Sequence, residues 1–141
     1  MALAVRYLAD KSALARLRHP EVTAALAPLL LAGEVGTCSV IELEILYSAR
    51  NAADLAATRA TRAQAFTLFT TTQADFDRAM DVMEQLARRG LHRSVGIPNL
   101  LIAAVAERNN LTIIHDDAEF EFVTAVTGQP MQWVVPRGTI P

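Results

Sequence analysis

The sequence predicts an α/β fold, a three-layer sandwich in which helices cover both faces of a central, mainly parallel sheet. Short apolar segments alternate with longer helical segments along all 141 residues, and glycines mark several junctions. Strands that alternate with helices in this way are typical of parallel sheets whose crossover helices cover both faces. No linker, repeat or low-complexity tract breaks the alternation, so residues 1–141 are interpreted as a single domain.

The strand predictions rest on short runs of apolar and β-branched residues that end at polar or turn-forming residues. The first run ends at Ala9, the second follows Gly33, and the fourth ends at His115. The predicted strands are residues 4–9, 35–38, 67–70, 111–115 and 132–135.

The helix predictions rest on longer segments with apolar residues at helical spacing. Pro98 favours a helix start, because proline is well tolerated in the first turn. The predicted helices are residues 20–32, 40–49, 54–66, 74–89, 98–109 and 119–127, with a short helical stretch at 12–17 after the first strand.

The composition limits the possible classes of protein. Hydrophobic residues make up 52% of the sequence, yet no apolar run reaches the roughly 18 to 20 residues that a membrane span requires. The first residues lack the basic head and small-residue cleavage site of a signal peptide, so we expect a cytoplasmic protein. The single cysteine, Cys38, fits a reducing compartment and a packing role. A formal net charge of −2 argues against nonspecific coating of nucleic acid.

Three carboxylates and one amide stand where an apolar segment ends or an apolar helix begins: Asp10, Glu44, Asn99 and Asp117. Asp10 and Asp117 each follow a strand, and Asn99 opens a helix. Glu44 lies in an otherwise apolar helix. In an open parallel sheet, such positions gather at the edge formed by the carboxyl ends of the strands. Hard cations such as Mg²⁺ and Mn²⁺ bind oxygen ligands of this kind, so the sequence predicts a metal site there.

Each of these residues also has a purely structural interpretation. Asp10 is a favoured N-cap for the helical stretch that follows it. Asp117 fits a turn after a strand, and Asn99 fits an ordinary first-turn position. Glu42 and Glu44 lie roughly 200° apart around a helix, so one of them is expected to face solvent. Periodicity alone does not choose between these two glutamates.

Four segments stand in one order along nearly the whole chain: Tyr7–Ala13, Glu44–Ser48, His92–Ala104 and Ile114–Phe120. Together they resemble the PIN-domain ribonucleases and, within that family, the VapC-type toxins of bacterial toxin–antitoxin pairs. Each segment alone is weakly specific, and the order and spacing of all four carry the resemblance. The resemblance selects Glu44 over Glu42, because only Glu44 fits the family's pattern of a glutamate with a small residue four positions later, here Ser48.

The resemblance implies a metal-dependent endoribonuclease that hydrolyses RNA phosphodiester bonds. Asp10, Glu44, Asn99 and Asp117 would then be its catalytic and metal-site residues, with Mg²⁺ or Mn²⁺ as the cofactor. The partners that it implies are an RNA substrate, a VapB-like antitoxin that inhibits the enzyme, and a second copy of the chain in a homodimer.

Three positions depart from the family pattern. Asn99 stands where the family has a metal-site aspartate, so a coordinating oxygen remains but the charge and the ability to accept a proton are lost. We therefore expect an attenuated enzyme, whether the amide arose by natural drift or was introduced to inactivate a toxic nuclease. Asp116 stands where relatives often have an aromatic residue, and Lys11 stands where threonine is more usual.

Substrate contacts are predicted among the basic residues near the site. The densest basic cluster is Arg88, Arg89, His92 and Arg93. Arg88 and Arg89 fit equally well as a solvated helix end whose charges complement the helix dipole. Arg93 lies in a matched segment and is the better candidate. Lys11 and Ser12, in the first matched segment, are assigned to substrate binding with it.

The high apolar content also predicts exposed patches that bind partners. Residues 42–66 are the predicted contact region for the antitoxin or a second copy of the chain. Leu43, Leu46 and Tyr47 are its predicted anchors.

Other functions remain open on the sequence. An aspartate-based phosphatase has a second aspartate two residues after the first, where this chain has Ser12. A receiver-like signalling domain needs a lysine after a late strand, and the only lysine is Lys11. A degenerate PIN module that binds RNA or a partner without cutting is consistent with Asn99. The histidines show no zinc spacing, and the sequence contains no phosphate-cradling glycine-rich loop.

Overall fold

The computed structural model describes residues 4–141, and within them the chain forms five strands and seven helices. The strands are β1 (Tyr7–Ala9), β2 (Val35–Cys38), β3 (Thr67–Phe69), β4 (Thr112–His115) and β5 (Met131–Trp133). The helices are α1 (Lys11–Leu14), α2 (Pro20–Leu31), α3 (Ser39–Tyr47), α4 (Ala52–Ala65), α5 (Gln73–Ala87), α6 (Ile97–Arg108) and α7 (Glu119–Thr127). The predicted α/β alternation is confirmed, and the element boundaries shift by only a few residues.

The first strand and the first helix are both shorter than predicted. β1 begins at Tyr7, where its pairing with both neighbouring strands begins. α1 ends at Leu14 instead of continuing to Leu17. After Leu14 the backbone continues in turns, in which the N–H groups of Arg16 and Leu17 donate to the carbonyls three residues earlier, those of Ala13 and Leu14.

The five strands form one sheet in the order β3-β2-β1-β4-β5, and every neighbouring pair is parallel. β1 therefore lies at the centre, between β2 and β4. The register pairs Ala9 with Ile114, so the chain leaves both central strands at the same edge of the sheet. Parallel pairing thus brings the residues after β1 and the residues after β4 side by side.

Two apolar cores cover the two faces of the sheet. Leu8 and Ile113 face the larger core, which α3, α5, α6 and α7 enclose. Ile114 and the partly buried Tyr7 face the smaller core, which includes side chains of α1 and α2. Neighbouring strand residues thus alternate between the faces, as the two-residue period of a strand requires. The predicted three-layer architecture is confirmed, and no helix within residues 4–141 is both long and apolar enough to cross a membrane.

Helix α4 lies on the outside of the molecule, and every one of its residues keeps contact with solvent. An ion pair attaches it to α3: Arg62 donates from Nε and Nη2 to the two carboxylate oxygens of Glu42, at 2.8 Å each. Thr37 donates its hydroxyl to the same carboxylate at 2.6 Å. The prediction that one of Glu42 and Glu44 faces solvent is therefore wrong, because Arg62 covers Glu42 and both glutamates are partly buried.

A second ion pair fastens α5 to α6. The carboxylate of Asp75 is 1% exposed and accepts hydrogen bonds from Arg108 Nε at 2.8 Å and Nη2 at 2.9 Å. The backbone N–H of Thr72 donates to it at 2.8 Å. Burial alone would raise the pKa of Asp75, but the bonds from Arg108 and Thr72 outweigh burial and hold that pKa below its ordinary value. Asp75 is therefore a charged residue whose burial depends on its partner.

We expect Arg108→Ala to lower the free energy of unfolding by about 3 kcal/mol, because it leaves the buried Asp75 carboxylate without its counter-charge. Urea denaturation at neutral pH measures this loss. The matched control is Arg88→Ala, which breaks the exposed pair with Glu84 and should cost less than about 1 kcal/mol. Equal losses in the two variants would contradict the structural role given to Asp75.

Candidate functional site

Four carboxylates and one amide line a cleft of about 380 Å³ at the carboxyl edge of the sheet: Asp10, Glu44, Asn99, Asp117 and Glu119. The cleft brings together all four residues that the sequence singled out, although they lie in four separate parts of the chain. The sequence reasoning missed Glu119. Its signal was its place in the first turn of α7, two residues after Asp117 and inside a matched segment.

Asp10 follows β1 and is both the N-cap of α1 and a wall of the cleft. Its Oδ2 accepts a hydrogen bond from the backbone N–H of Ser12 at 3.0 Å, so the structural interpretation of Asp10 holds as well. Its Oδ1 is buried and has no hydrogen-bond partner within residues 4–141. The residue is only 4% exposed, and burial, with the nearby charge of Asp117, raises the pKa of Asp10. The cleft therefore contains a carboxylate oxygen that the protein itself leaves unsatisfied.

Glu44 reaches the cleft from α3, and its Oε1 is also buried without a partner among the described residues. Burial raises the pKa of Glu44, and the charge of Asp10 raises it further. Lys11 lies beside it, but its ammonium group donates to the backbone carbonyl of Glu44 at 3.2 Å and to the hydroxyl of Ser48 at 2.8 Å. Lys11 therefore ties α1 to the end of α3.

Asn99 is held in the first turn of α6 and faces two carboxylates. Its Nδ2 donates to Asp117 Oδ2 and to Glu119 Oε1, at 3.1 Å each. Because a carboxylate only accepts, the amide must turn its nitrogen toward them. Asn99 therefore donates a hydrogen bond to each of two carboxylates that would otherwise repel each other.

Hydrogen bonds to backbone N–H groups hold the loop after β4 and the start of α7. Asp117 Oδ1 accepts the N–H of Glu119 at 3.0 Å, and Glu119 Oε1 accepts the N–H of Gly96 at 2.7 Å. The N–H of Asp117 donates to Nδ1 of His115 at 3.2 Å. His115 is buried, and burial lowers its pKa, which favours the neutral ring that this bond needs. These bonds hold Asp117 and Glu119 in the orientation in which both face the amide of Asn99.

Ser12, Arg16 and Asp116 connect α1 to the same loop. The hydroxyl of Ser12 accepts the N–H of Asp116 at 2.9 Å. Arg16 places its Nε 2.9 Å from Asp116 Oδ2 and also lines the cleft, as do Lys11 and Ser12. The structure thus gives Asp116, which departs from the family pattern, an arginine partner. The sequence reasoning did not identify Arg16.

Arg93 lies apart from this group. It is exposed, and the residues within 4–141 that line the cleft do not include it. His92 is likewise exposed and outside the lining. The assignment of Arg93 to substrate binding stays a prediction.

The donor set of the cleft fits a hard divalent cation such as Mg²⁺ or Mn²⁺. The ligand atoms are oxygens, and two of them, on Asp10 and Glu44, are buried without partners among the described residues. Within residues 4–141, however, no three carboxylate, imidazole or thiolate groups converge on one common point. The reason is visible in the hydrogen bonds, because Asp117 and Glu119 are turned toward the amide of Asn99. Binding an ion requires these side chains to rotate away from that amide.

Comparison with known proteins identifies a family over most of the chain. The PIN domain matches residues 7–125. A protein named ribonuclease VapC51 from Mycobacterium tuberculosis is 42% identical over 138 residues, which is 98% of this chain and 99% of that protein. Ribonuclease VapC21 from the same species is 40% identical over 137 residues, which is 97% of this chain and 99% of that protein.

Solved structures show the same fold at low sequence identity. A DNA-bound VapBC from Salmonella typhimurium has a TM-score of 0.74 at 16% identity and covers 93% of this chain and 99% of its own. VapBC2 from Rickettsia felis, bound to a fragment of promoter DNA, has a TM-score of 0.72 at 14% identity and covers 92% and 98%. These similarities show the fold alone.

We expect Asp10→Asn to stabilise the protein by about 1 kcal/mol in the presence of EDTA at neutral pH, because it removes a buried, unsatisfied charge beside Asp117. The amide keeps an oxygen for the Ser12 N–H, so the helix cap survives. Thermal unfolding followed by circular dichroism measures the gain. Asp77→Asn, on the exposed surface of α5, is the matched control and should change little. A destabilised Asp10→Asn variant would show that the buried Asp10 carboxylate does not lower the stability of the protein.

Proposed function

Because the chain belongs to the PIN-domain family, and within it to the VapC ribonucleases, we propose that it hydrolyses RNA phosphodiester bonds with a divalent cation bound in the cleft. The cation is Mg²⁺ or Mn²⁺, and the enzyme acts in the cytoplasm as the toxin of a toxin–antitoxin pair. The observation that supports the metal most directly is the buried Oδ1 of Asp10, which lies unpartnered in a cleft of four carboxylates. A cation would satisfy this oxygen and offset the repulsion among the acids.

Asp10, Glu44 and Asp117 are the proposed metal ligands. When bound, the cation supplies an activated water, orients the phosphate and neutralises the leaving oxygen. The protein fixes the direction of its ligands: the Ser12 N–H orients Asp10, and His115 orients the backbone of Asp117. These contacts hold the Asp10 carboxylate and the backbone of Asp117 before the metal and the substrate bind, and the Asp117 carboxylate then has to turn away from Asn99.

Asn99 is proposed to attenuate the enzyme. Its Nδ2 donates hydrogen bonds to Asp117 Oδ2 and Glu119 Oε1. These bonds have to break before the two oxygens can bind a cation. The amide also lacks the negative charge that would strengthen metal binding, and it cannot accept a proton from the attacking water. Both effects reduce turnover, the first through weaker metal binding and the second through slower chemistry.

Lys11 and Ser12 are proposed to contact the RNA backbone, as residues of the cleft wall. Each has a structural contact in the free protein, Lys11 with Ser48 and Ser12 with Asp116. Arg93 lies outside the lining, and its proposed role is to contact RNA that extends beyond the cleft.

The side-chain amide of Asn99 supports a second candidate function, a PIN module that binds RNA or a partner without cutting it. The hydrogen bonds from Asn99 give Asp117 and Glu119 a partner within the protein, as a module without a catalytic cation requires. A cleavage assay on the variant that restores the carboxylate separates the two candidates.

A small antitoxin and a second copy of the chain are the proposed protein partners, because the solved neighbours include VapBC toxin–antitoxin complexes. The proposed contact surface is the outer face of α3 with the adjoining strand β3. There Leu43 is 68% exposed, Tyr47 is 91% exposed and Leu68 is 55% exposed. The third predicted anchor, Leu46, is half-buried in the groove between α3 and α4. Such an exposed apolar surface favours protein association.

Asn99→Asp tests the proposed chemistry. We expect RNA cleavage in Mg²⁺ or Mn²⁺ to rise on the order of 10²-fold, because the variant regains a metal-binding charge and a proton acceptor. We also expect a larger Mn²⁺-induced rise in the thermal midpoint than in the parent, because ligand binding stabilises the folded state. Without metal, the variant should be less stable, since the amide donors to Asp117 and Glu119 are lost.

The matched control is Asn51→Asp, an amide-to-acid change at the N-cap of α4, which should leave cleavage unchanged. Adding Asp117→Asn to Asn99→Asp should abolish the cleavage gain and so exclude a contaminating nuclease. A metal-induced stabilisation of Asn99→Asp without any cleavage would favour the binding module over the enzyme.

Light scattering tests the proposed contact surface. We expect the purified chain to form a dimer of about twice 15.3 kDa, and we expect the double variant Leu43→Glu and Tyr47→Glu to be monomeric. The control is Leu31→Glu, which places the same charge on an exposed leucine at the end of α2. A dimer that survives the double variant but not Leu31→Glu would place the contact on the opposite side of the sheet.

A further inference from the structure

We propose that Arg16 is the side chain that binds a phosphate of the RNA at the cleft, and that Asp116 competes with this phosphate for the same guanidinium. The inference rests on the proposed RNA cleavage and adds the cationic contact that an acidic cleft needs. Neither residue was assigned to substrate binding on the sequence.

The negative charge of the cleft favours such a contact. Four carboxylates line it, and a polyanion such as RNA approaches them only if cations offset the repulsion. Among the described residues, the cationic side chains of the lining are Lys11 and Arg16. The ammonium group of Lys11 is turned toward the carbonyl of Glu44 and the hydroxyl of Ser48. Arg16 is therefore the better placed of the two cations to meet a phosphate.

The contacts of Arg16 leave much of its guanidinium available. Nη1 donates to the carbonyl of Ser12 at 2.7 Å, and Nε lies 2.9 Å from Asp116 Oδ2. Other arginines grip their carboxylates with two nitrogens, as Arg62 grips Glu42 and as Arg108 grips Asp75. The two contacts of Arg16 use Nε and Nη1, and Nη2 has no hydrogen-bond partner among residues 4–141, so Nη2 remains available to donate to a phosphate oxygen.

The side chain of Arg16 is more accessible from the cleft than that of Asp116. The side chain of Arg16 is 34% exposed and lines the cleft, whereas that of Asp116 is 10% exposed and does not line it. The backbone of Asp116 is fixed by the hydroxyl of Ser12, so the carboxylate remains behind the guanidinium. Asp116 orients Arg16 in the free protein, but its negative charge lowers the attraction that a phosphate experiences.

Two variants with different expected effects on RNA affinity test the inference. The probe is a short fluorescein-labelled single-stranded RNA, titrated by fluorescence anisotropy in Mg²⁺ and in about 50 to 200 mM salt, with its integrity checked on a gel. We expect Arg16→Gln to weaken binding roughly tenfold and to reduce the slope of log affinity against log salt by about 0.7, the value for one lost phosphate contact to a single strand. We expect Asp116→Asn to bind at least as tightly as the parent, with an undiminished slope.

Arg6→Gln is the matched control, because Arg6 precedes β1 at the opposite edge of the sheet and also pairs with one carboxylate, that of Glu34. It should leave binding unchanged. Thermal midpoints show whether the variants are folded. If Arg16→Gln and Asp116→Asn weaken binding equally, the ion pair only holds the loop and the inference is overturned. RNA affinity unaffected by Arg16→Gln also overturns it, while the proposed substrate stands. A folded parent chain that binds no RNA rejects the proposed substrate, and the inference falls with it.

Discussion

The parallel pairing of β1 with β4 is the constraint on which the rest of the site depends. The register aligns Ala9 with Ile114, and the N–H of Asp10 donates to the carbonyl of Ile114 at 2.9 Å. The chain therefore leaves both strands at one edge, with Asp10 and Asp117 on adjacent turns. The bond between Ser12 and Asp116 joins the two segments that this alignment brings together, and α3 and α6 add Glu44 and Asn99 to the cleft. A shift of register by one residue would turn these side chains to the other face of the sheet.

The cleft holds carboxylates without cationic partners among the described residues, whereas buried acids elsewhere in the fold form ion pairs. Ion pairs elsewhere enclose the buried acids, as Arg108 does for Asp75. In the cleft, Asp10 and Glu44 each keep an oxygen without a partner among residues 4–141, and Asp117 and Glu119 receive the amide of Asn99 and backbone N–H groups in place of a cationic side chain. Local violations of the rules for burying charge are characteristic of functional sites, where stability is exchanged for ligand binding. The raised pKa values of Asp10 and Glu44 express the same strain.

The sequence predicted what depends on local pattern and missed what depends on distant side chains. Strand and helix periodicity located the elements, and residues that follow strand ends, such as Asp10 and Asp117, were placed correctly at one edge. The partners of charged side chains were not predictable in this way. Arg62 reaches Glu42 across 20 residues, and Arg16 meets Asp116 only because β1 and β4 are neighbours. Its place in a matched segment favoured Arg93, which does not line the cleft, whereas the fold brings Arg16 there beside the predicted Lys11.

The central position of β1 determines when the cleft can exist during synthesis. Asp10 leaves the ribosome early, but its pairing strand β4 ends at His115, and Asp117 and Glu119 follow still later. Pairing between segments so distant in sequence is slow compared with the formation of local helices. A nascent or truncated chain that stops before β4 therefore has Asp10 and Glu44 but lacks Asp117 and Glu119, and it has no complete cleft. In a chain of the VapC ribonuclease family, this topology delays assembly of the cleft until almost the whole chain has been translated.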